Sequence, residues 1–243
     1  MTFNSIRTRL YHPGPLQAGA EISLSADQAH FLGNVLRLHA GDRIALFNAD
    51  DGEWSGPLAV LKKRNAEVVV DDQRRPGAPE PGPWLAFAPL KKARTQIIVE
   101  KATELGVARL LPVITANTIG GRVNEQRMAA QALEAAEQCE RLSLPEVAAP
   151  QTLAQLLAGW PSARRLLVAD ETGGGMAIAD AISSTLKNSA DCGILIGPEG
   201  GFRADELELL KVPEFCTFID LGPRILRAET AAIVALACIG ALT

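Results

Sequence analysis

Two loops rich in glycine, proline and charge follow mostly apolar runs in the C-terminal third of the chain. The run at residues 193–196 leads into GPEGGF at 197–202, and the run at 218–221 leads into GPRILRAET at 222–230. Short apolar runs without a polar face are typical of buried parallel strands. Glycines in the following loop remove the Cβ atoms that would keep a ligand away from the main chain. The two loops therefore predict one small-molecule site at the carboxyl ends of parallel strands.

The second loop carries more chemistry than a turn requires. Arg224, Arg227, Glu229 and Thr230 crowd a segment flanked by an apolar strand and an apolar helix. The glycines of the first loop, taken alone, could be explained by a turn without a ligand. A P-loop is excluded because Phe202-Arg203 stands where a Lys-Ser/Thr pair would be needed.

Strands and helices alternate around these loops. Apolar spacing predicts strands at residues 84–89, 109–113, 165–169, 192–196 and 215–221, and helices at 94–105, 125–141, 153–157, 177–186, 203–210 and 228–242. Such alternation predicts an α/β fold with a parallel sheet. The last helix is almost wholly apolar, so we expect it to be buried or to form an interface.

The N-terminal part has a different pattern. Residues 1–73 read as short strands separated by turn signals, which predicts a small β-barrel. One helix interrupts them, with Ser25 as N-cap and Gln28 three residues later. Its predicted apolar face contains Ala29, Leu32, Val35 and Leu36. The proline- and glycine-rich segment 74–83 predicts a linker, so the expected domains are 1–73 and 84–243.

Composition limits the function classes. The 243 residues are 47% hydrophobic, enough for one large or two modest domains. No apolar run approaches the ~20 residues that cross a bilayer and no leader is evident, so we expect a cytoplasmic protein without a membrane partner. Four scattered cysteines and three N-terminal histidines predict neither a metal site nor a histidine triad.

The formal net charge of -4 argues only weakly against a nucleic-acid partner. Charge is unevenly distributed, because basic residues outnumber acidic ones between residues 84 and 127. A local site for a nucleic acid is therefore compatible with the overall acidity.

Several motifs in a fixed order carry a resemblance to a known family. They are HFL at 30–32, VLRL at 35–38, GD at 41–42, KATELGV at 101–107, EAAEQ at 134–138 with Arg141 and Pro145, IGPEGG at 196–201 and LGPRILRAETA at 221–231. In this combination the chain resembles the 16S ribosomal RNA uridine-N3 methyltransferases of the SPOUT superfamily over nearly its whole length. One departure is the segment 113–124, which has fewer arginines and serines than is usual in that family.

The resemblance implies a fold, a cofactor and partners. The fold would be a PUA-like β-barrel that binds RNA, followed by a SPOUT-type parallel sheet with a C-terminal trefoil knot. The methyl donor would be S-adenosylmethionine, and the partners would be 16S ribosomal RNA or the small ribosomal subunit and a second copy of the chain.

The same resemblance places the cofactor in the two glycine loops. The implied cofactor-binding residues are Ile196, Gly197, Pro198, Glu199, Gly200, Gly201, Leu221, Gly222, Ile225, Leu226, Arg227 and Thr230. The proposed RNA contacts are Arg7, Arg9, Arg37, Lys91, Arg94 and Arg141.

Methylation of a uracil N3 requires that its proton leave and that negative charge develop on the flanking oxygens. Arg227 is the candidate stabiliser of that charge, Glu229 the candidate proton acceptor or its orienter, and Glu199 the rival carboxylate. Glu229 could instead stabilise the start of the last helix. Two other functions stay open: a SPOUT methyltransferase for transfer RNA or a ribose 2′-hydroxyl, and a non-catalytic RNA-binding assembly factor.

Overall fold

The computed structural model describes residues 5–119 and 123–243, which form two compact units. One unit consists of Met1–Glu80 and Glu140–Ser143, and the other of Pro81–Cys139 and Leu144–Thr243. The segment Glu140–Ser143 thus belongs with the N-terminal unit although it is remote from it in sequence.

The N-terminal unit is built on a six-stranded sheet. Its strands are β1 (Arg9–Tyr11), β2 (Glu21–Ser23), β3 (Arg43–Asn48), β4 (Gly52–Lys62), β5 (Asn65–Val69) and β6 (Asp72–Arg75). The order is β1-β3-β4-β5-β2 with β6 paired to β4, and the pairs are antiparallel except β1 with β3. A single long β4 covers the region where the sequence predicted two short strands, at residues 53–56 and 57–61. This strand pairs with β3, β5 and β6, so the sheet is organised around it.

The predicted N-terminal helix is present but shorter than its pattern. Ser25 Oγ accepts a hydrogen bond from Gln28 N, and Gln28 Oε1 accepts one from Ser25 N, so the capping box is confirmed. Helix α1 covers Ala26–His30 and continues as a π-helical turn over Phe31–Val35. The extra residue per turn rotates the face, and Val35 is 60% exposed. Its predicted core position is wrong, whereas Ala29 and Leu32 are buried.

The segment predicted to be a linker begins as a strand. Arg74 and Arg75 lie in β6, and Arg75 pairs with Glu53 of β4. Both reach Glu53: Arg75 Nη2 lies 2.7 Å from Oε2, and Arg74 Nε lies 3.3 Å from Oε1. Arg9 Nε is 2.8 Å from the same Oε2. A carboxylate that attracts three arginines explains why this part of the segment is ordered against β4.

The C-terminal unit contains an eight-stranded, all-parallel sheet, which confirms the α/β prediction. Its strands are β7 (Trp84–Phe87), β8 (Arg109–Ile114), β9 (Glu146–Val147), β10 (Gln151–Thr152), β11 (Arg165–Ala169), β12 (Met176–Ala177), β13 (Cys192–Ile196) and β14 (Cys216–Asp220). The order is β10-β8-β7-β13-β11-β14-β12, with β9 paired to β8.

Within residues 81–119 and 123–243, six α-helices accompany this sheet. They are α2 (Lys92–Glu104), α3 (Glu125–Gln138), α4 (Leu153–Gly159), α5 (Ile178–Thr185), α6 (Ala204–Lys211) and α7 (Ala228–Leu242). Leu85 and Phe87 pack in a cluster with residues of α2 and α7, whereas Ala86, between them, packs in a separate cluster with residues of α4. The sheet therefore separates two apolar cores. Helix α7 is largely buried at Ala232, Ala235, Leu236 and Ile239, as its sequence predicted.

Helix ends follow local chemistry. Gly106, with φ of 82°, lies just beyond α2, and Asn124 Oδ1 accepts a hydrogen bond from Arg127 N at the start of α3. Within residues 5–119 and 123–243, no helix has the length and apolarity needed to span a membrane.

Candidate functional site

The two glycine loops lie side by side and enclose a cavity of about 670 Å³. They follow β13 and β14, whose common neighbour in the sheet is β11. The cavity is lined by Arg94, Ala169, Asp170, Glu171, Gly173, 196–200, 219–228 and Ala231. The two loops therefore meet at the carboxyl ends of parallel strands, as the sequence predicted.

The first loop is held in shape from two sides. Gly201 has φ of 67°, a conformation that favours glycine. A Cβ on Gly197 would lie 2.9 Å from the Phe202 ring. Asn117 Nδ2 donates hydrogen bonds to the carbonyl oxygens of Gly200 (3.0 Å) and Gly201 (3.1 Å). The turn that follows β8 thus fixes the loop, a contact that sequence spacing did not predict.

The second loop joins β14 to α7. Asp220 Oδ1 accepts a hydrogen bond from Gly222 N at 2.9 Å, and Gly222 has φ of 111°. Ile225 lines the cavity but is 83% exposed, so its apolar side chain lies at the edge of the cavity. Arg227 is the N-cap residue of α7 and makes no side-chain capping hydrogen bond. Its guanidinium is therefore not engaged in closing the helix.

A third loop, after β11, was not predicted as part of the site. It contributes Asp170, Glu171 and Gly173 to the lining. A Cβ on Gly175 would lie 2.6 Å from the carbonyl carbon of Ile219, so this loop packs directly against the end of β14. The signal was available in the sequence, because an apolar strand runs into Thr172-Gly173-Gly174-Gly175 just as the other two strands run into their glycines.

Charges of both signs line the cavity. The carboxylates are Asp170, Glu171, Glu199 and Asp220, and the guanidiniums are Arg94, Arg224 and Arg227.

Arg94 forms an ion pair with Glu199, and its Nε lies 3.6 Å from Glu229 Oε1. Glu229 is only 9% exposed. Within the described part of the chain, its Oε2 is buried and has no hydrogen-bond partner.

The predicted cofactor-binding residues lie around one cavity, with two exceptions. All of them line the cavity except Gly201, which is buried beside it, and Thr230, which is exposed. Of the three candidate catalytic residues, Glu199 and Arg227 line the cavity directly. Glu229 contacts the lining residue Arg94.

The predicted RNA contacts do not share one environment. Arg7, Arg37 and Lys91 are exposed, and Arg94 lies in the cavity. Arg141 is 7% exposed, with Nε 3.3 Å from Glu80 Oε2 and Nη2 donating to Ser143 Oγ.

Arg9 is also internal. It pairs with Glu53, its guanidinium carbon lies 3.9 Å from the centre of the Phe47 ring, and its Nη2 donates to the carbonyl oxygen of Arg141. The sequence predicted that Arg9 and Arg141 contact RNA, but in the structure both guanidiniums are engaged inside the N-terminal unit and neither stands on its surface. In the segment 113–124, residues 120–122 lie outside the described residues.

The structure has a parallel α/β sheet with a cavity between loops at the carboxyl ends of its strands. Comparison of the sequence with known domain families shows which class of protein this arrangement belongs to. The RNA methyltransferase domain family matches residues 80–240, and the RNA methyltransferase PUA domain family matches residues 24–71. The class is thus that of RNA methyltransferases with an N-terminal PUA domain.

Individual relatives narrow this class. The chain is 36% identical over 230 residues to ribosomal RNA small subunit methyltransferase E of Rickettsia conorii, covering 94% of this chain and 93% of the relative. It is 29% identical over 234 residues to the protein of the same name from Bacillus subtilis, covering 92% and 91%. The chain belongs to the ribosomal RNA small subunit methyltransferase E family, which confirms the resemblance seen in its motifs.

Solved structures agree in fold. A methyltransferase from Legionella pneumophila in complex with S-adenosylmethionine superposes with a TM-score of 0.85 at 28% identity, covering 98% of both chains. Ribosomal RNA small subunit methyltransferase E from Neisseria gonorrhoeae, bound to S-adenosylmethionine, has a TM-score of 0.82 at 25% identity, covering 97% of both chains.

Proposed function

We propose that this protein is an S-adenosylmethionine-dependent methyltransferase of 16S ribosomal RNA and that it modifies N3 of a uridine. The observation that carries the proposal is the cavity of about 670 Å³ between the two glycine loops, bordered by charged residues. Relatives named ribosomal RNA small subunit methyltransferase E support the substrate class. The position on the base rests on the motif resemblance and on the chemistry of the residues around the cavity.

The residues present fit this cofactor. The cavity volume lies in the range of roughly 300–1,000 Å³ that is usual for small-molecule sites. Ile196, Ile219 and Leu226 give it apolar wall, and the loop backbones supply N–H and C=O groups. The lining carboxylates suit a ligand with cationic groups. Ile196–Gly200 and Leu221–Arg227 would hold the cofactor, which supplies an electrophilic methyl group on a sulfonium sulfur and is left as a neutral thioether.

The chain's own residues then have two tasks. Uracil N3 carries a proton at neutral pH, and that proton must pass to a base as the new N–C bond forms. Glu229 is the proposed acceptor, since among the described residues its Oε2 is buried without a hydrogen-bond partner and its Oε1 lies 3.6 Å from Arg94, which lines the cavity. Arg227 is the proposed stabiliser of the negative charge that develops on the uracil oxygens.

Glu199 is the weaker candidate for the base. Its side chain is 30% exposed and is paired with Arg94, whereas the Glu229 side chain is 12% exposed. Both carboxylates are paired with Arg94, but Glu229 Oε2 is buried and has no hydrogen-bond partner among the described residues, so it is the oxygen left to take a proton. We therefore assign Glu199 to binding rather than to proton transfer.

The N-terminal unit supplies RNA affinity in this proposal. Its PUA domain would contact RNA through exposed arginines such as Arg7 and Arg37, and the target uridine would have to leave its stack to reach the cavity. We further propose that the loops after β13 and β14 form a trefoil knot and that two chains associate as a homodimer. Support for the knot comes from strand order, because β13 lies between β7 and β11, both of which precede it in the chain.

One experiment tests the reaction and its position. Small ribosomal subunits from cells lacking this protein are incubated with the purified protein and S-adenosylmethionine, and the nucleosides of 16S RNA are analysed by mass spectrometry. We expect one new 3-methyluridine. A methyl group on a ribose, or on transfer RNA offered in parallel, would overturn the assignment. Calorimetry with S-adenosylmethionine separates the non-catalytic alternative, since a relic site would release no heat.

A further inference from the structure

Arg94 connects the lining of the cavity with a buried carboxylate at the start of α7. It is the third residue of α2, and it reaches carboxylates from two different segments. Its Nη1 contacts Glu199 of the first loop, and its Nε lies 3.6 Å from Glu229 Oε1 at the start of α7. One guanidinium thus contacts both the loop proposed to hold the cofactor and the residue proposed to accept the proton.

Burial strengthens the attraction between Arg94 and Glu229. The Arg94 side chain is 32% exposed and that of Glu229 is 12% exposed, so their attraction is screened less than that of a surface pair. A buried carboxylate without a nearby cation would be strongly disfavoured. Arg94 is the cation that lies beside it.

The geometry also selects one oxygen of Glu229. Because Oε1 faces Arg94, the other oxygen, Oε2, is left buried and without a partner in the described residues. An ion pair at one oxygen favours one orientation of the carboxylate, and with it one direction for the second oxygen. Such an orientation matters because a proton acceptor must lie within hydrogen-bonding reach of the proton that it removes.

We propose that Arg94 is a positioning residue that holds the Glu229 carboxylate for proton transfer, with Glu199 fixing the guanidinium from the other side. This proposal rests on the proposed function. It replaces the expectation that Arg94 binds an RNA phosphate, and it distinguishes arginine from lysine at this position. A single ammonium lacks the planar fork that allows one side chain to address two carboxylates.

The test compares Arg94→Ala and Arg94→Lys with Lys92→Ala, which removes an exposed cation two residues away on α2. We measure kcat and KM for RNA, the Kd of S-adenosylmethionine by calorimetry, and the salt dependence of RNA binding. Arg94→Ala should lower kcat by roughly 100-fold, the effect of a misplaced catalytic group. Arg94→Lys should recover only part of it, and Lys92→Ala should match the wild type in kcat.

Added guanidinium provides a readout that a merely structural role would not give. It should restore turnover to Arg94→Ala and leave Arg94→Lys unchanged, because only the alanine variant leaves space for it. A raised KM for RNA with unchanged kcat, and a salt slope reduced by about one, would show an RNA phosphate contact and overturn the proposal.

A stability measurement tests the Arg94–Glu229 contact even if a variant shows no activity. In a double-mutant cycle of Arg94→Ala with Glu229→Gln, the melting temperatures should deviate from additivity, since contacting residues are coupled. Additive effects would overturn the positioning role whether or not the enzyme turns over. If the wild type transfers no methyl group although this coupling is present, the proposed function fails while the Arg94–Glu229 contact stands.

Discussion

At the scale of the residue, Glu229 holds a buried carboxylate oxygen that the described part of the chain leaves without a hydrogen bond. An unsatisfied buried acceptor costs about 1–3 kcal/mol, and more when it is charged. Two features offset that cost: Arg94 beside Oε1, and the N-terminal turn of α7, where negative charge is favoured. The helix position alone would explain a glutamate here, but it does not explain why one oxygen lacks a donor.

Arg227→Ala tests the proposed charge stabiliser. The side chain is exposed, lines the cavity and makes no capping hydrogen bond, so its removal should leave α7 intact. We expect kcat to fall by about 10²–10³-fold, the loss typical of one donor to a developing oxyanion. Calorimetry should show only a small change in cofactor Kd. Arg127→Ala, an exposed arginine of α3, is the control; near-normal turnover of Arg227→Ala would remove the residue from the mechanism.

At the scale of the element, the third loop depends on glycine at one position and not at its neighbour. A Cβ on Gly175 would meet the backbone of Ile219 and Asp220 at 2.6–2.9 Å, whereas a Cβ on Gly174 would have only Thr172 Oγ1 near it, at 3.8 Å. Backbone cannot move aside as a flexible side chain can. Overpacking of this kind costs typically about 1–3 kcal/mol.

We therefore predict that Gly175→Ala lowers the melting temperature and weakens S-adenosylmethionine binding, because the loop that carries Asp170 and Glu171 is pushed away from β14. Gly174→Ala should leave both quantities close to wild type. Differential scanning calorimetry and titration calorimetry measure the two effects. Equal behaviour of the two variants would mean that the loop is not seated on β14 as described.

The sequence predicted this part of the molecule well because its signals are local. The strands at 165–169 and 192–196 have the predicted bounds, since each is an apolar run that ends at charge or glycine, and the helix at 228–242 has them because charge marks the start of its apolar run. Glycine loops at strand ends located the cavity for the same reason. Contacts between distant segments were not predictable: Asn117 with the first loop, Arg94 with Glu229, and Glu53 with three arginines each depend on the tertiary fold.

The β4–β6 pairing gives a prediction about pH. Burial alone would raise the pKa of Glu53, but hydrogen bonds from Arg75 and Arg9 outweigh it and hold that pKa below its ordinary value. Likewise, burial of Glu80 is outweighed by donors from Ser143 and Leu142, and its pKa is also lowered. Both carboxylates belong to the N-terminal unit.

A carboxyl group with a lowered pKa in the folded state stabilises that state fully above the unfolded value of about 4.3 and loses the contribution as pH falls through the folded value. The free energy of unfolding of the N-terminal unit should therefore decrease in acid. Glu53→Gln should flatten this dependence in urea denaturation, whereas Glu67→Gln, in β5, should retain it. An acid dependence that Glu53→Gln leaves unaltered would contradict the role of the arginine cluster.

At the scale of the whole molecule, a net charge of -4 must be reconciled with an RNA substrate. The structure reduces the set of basic residues available to RNA, because Arg9 and Arg141 are engaged with Glu53 and Glu80. Of the predicted RNA contacts, the exposed ones are Arg7 and Arg37 of the N-terminal unit and Lys91 of the C-terminal unit. Affinity would then come from a few local cations rather than from the overall field.

We predict that Arg7→Gln and Arg37→Gln each weaken binding to 16S RNA and each lower the slope of log affinity against log salt by about one, as expected for the loss of one phosphate contact. Cofactor affinity should not change, since neither residue lines the cavity. Filter binding over a salt series measures the slope. Arg64→Gln, an exposed arginine between β4 and β5, is the matched control within the same unit. If all three variants lower the slope equally, RNA is attracted by charge spread over the unit rather than by Arg7 and Arg37, and the proposed RNA surface is wrong.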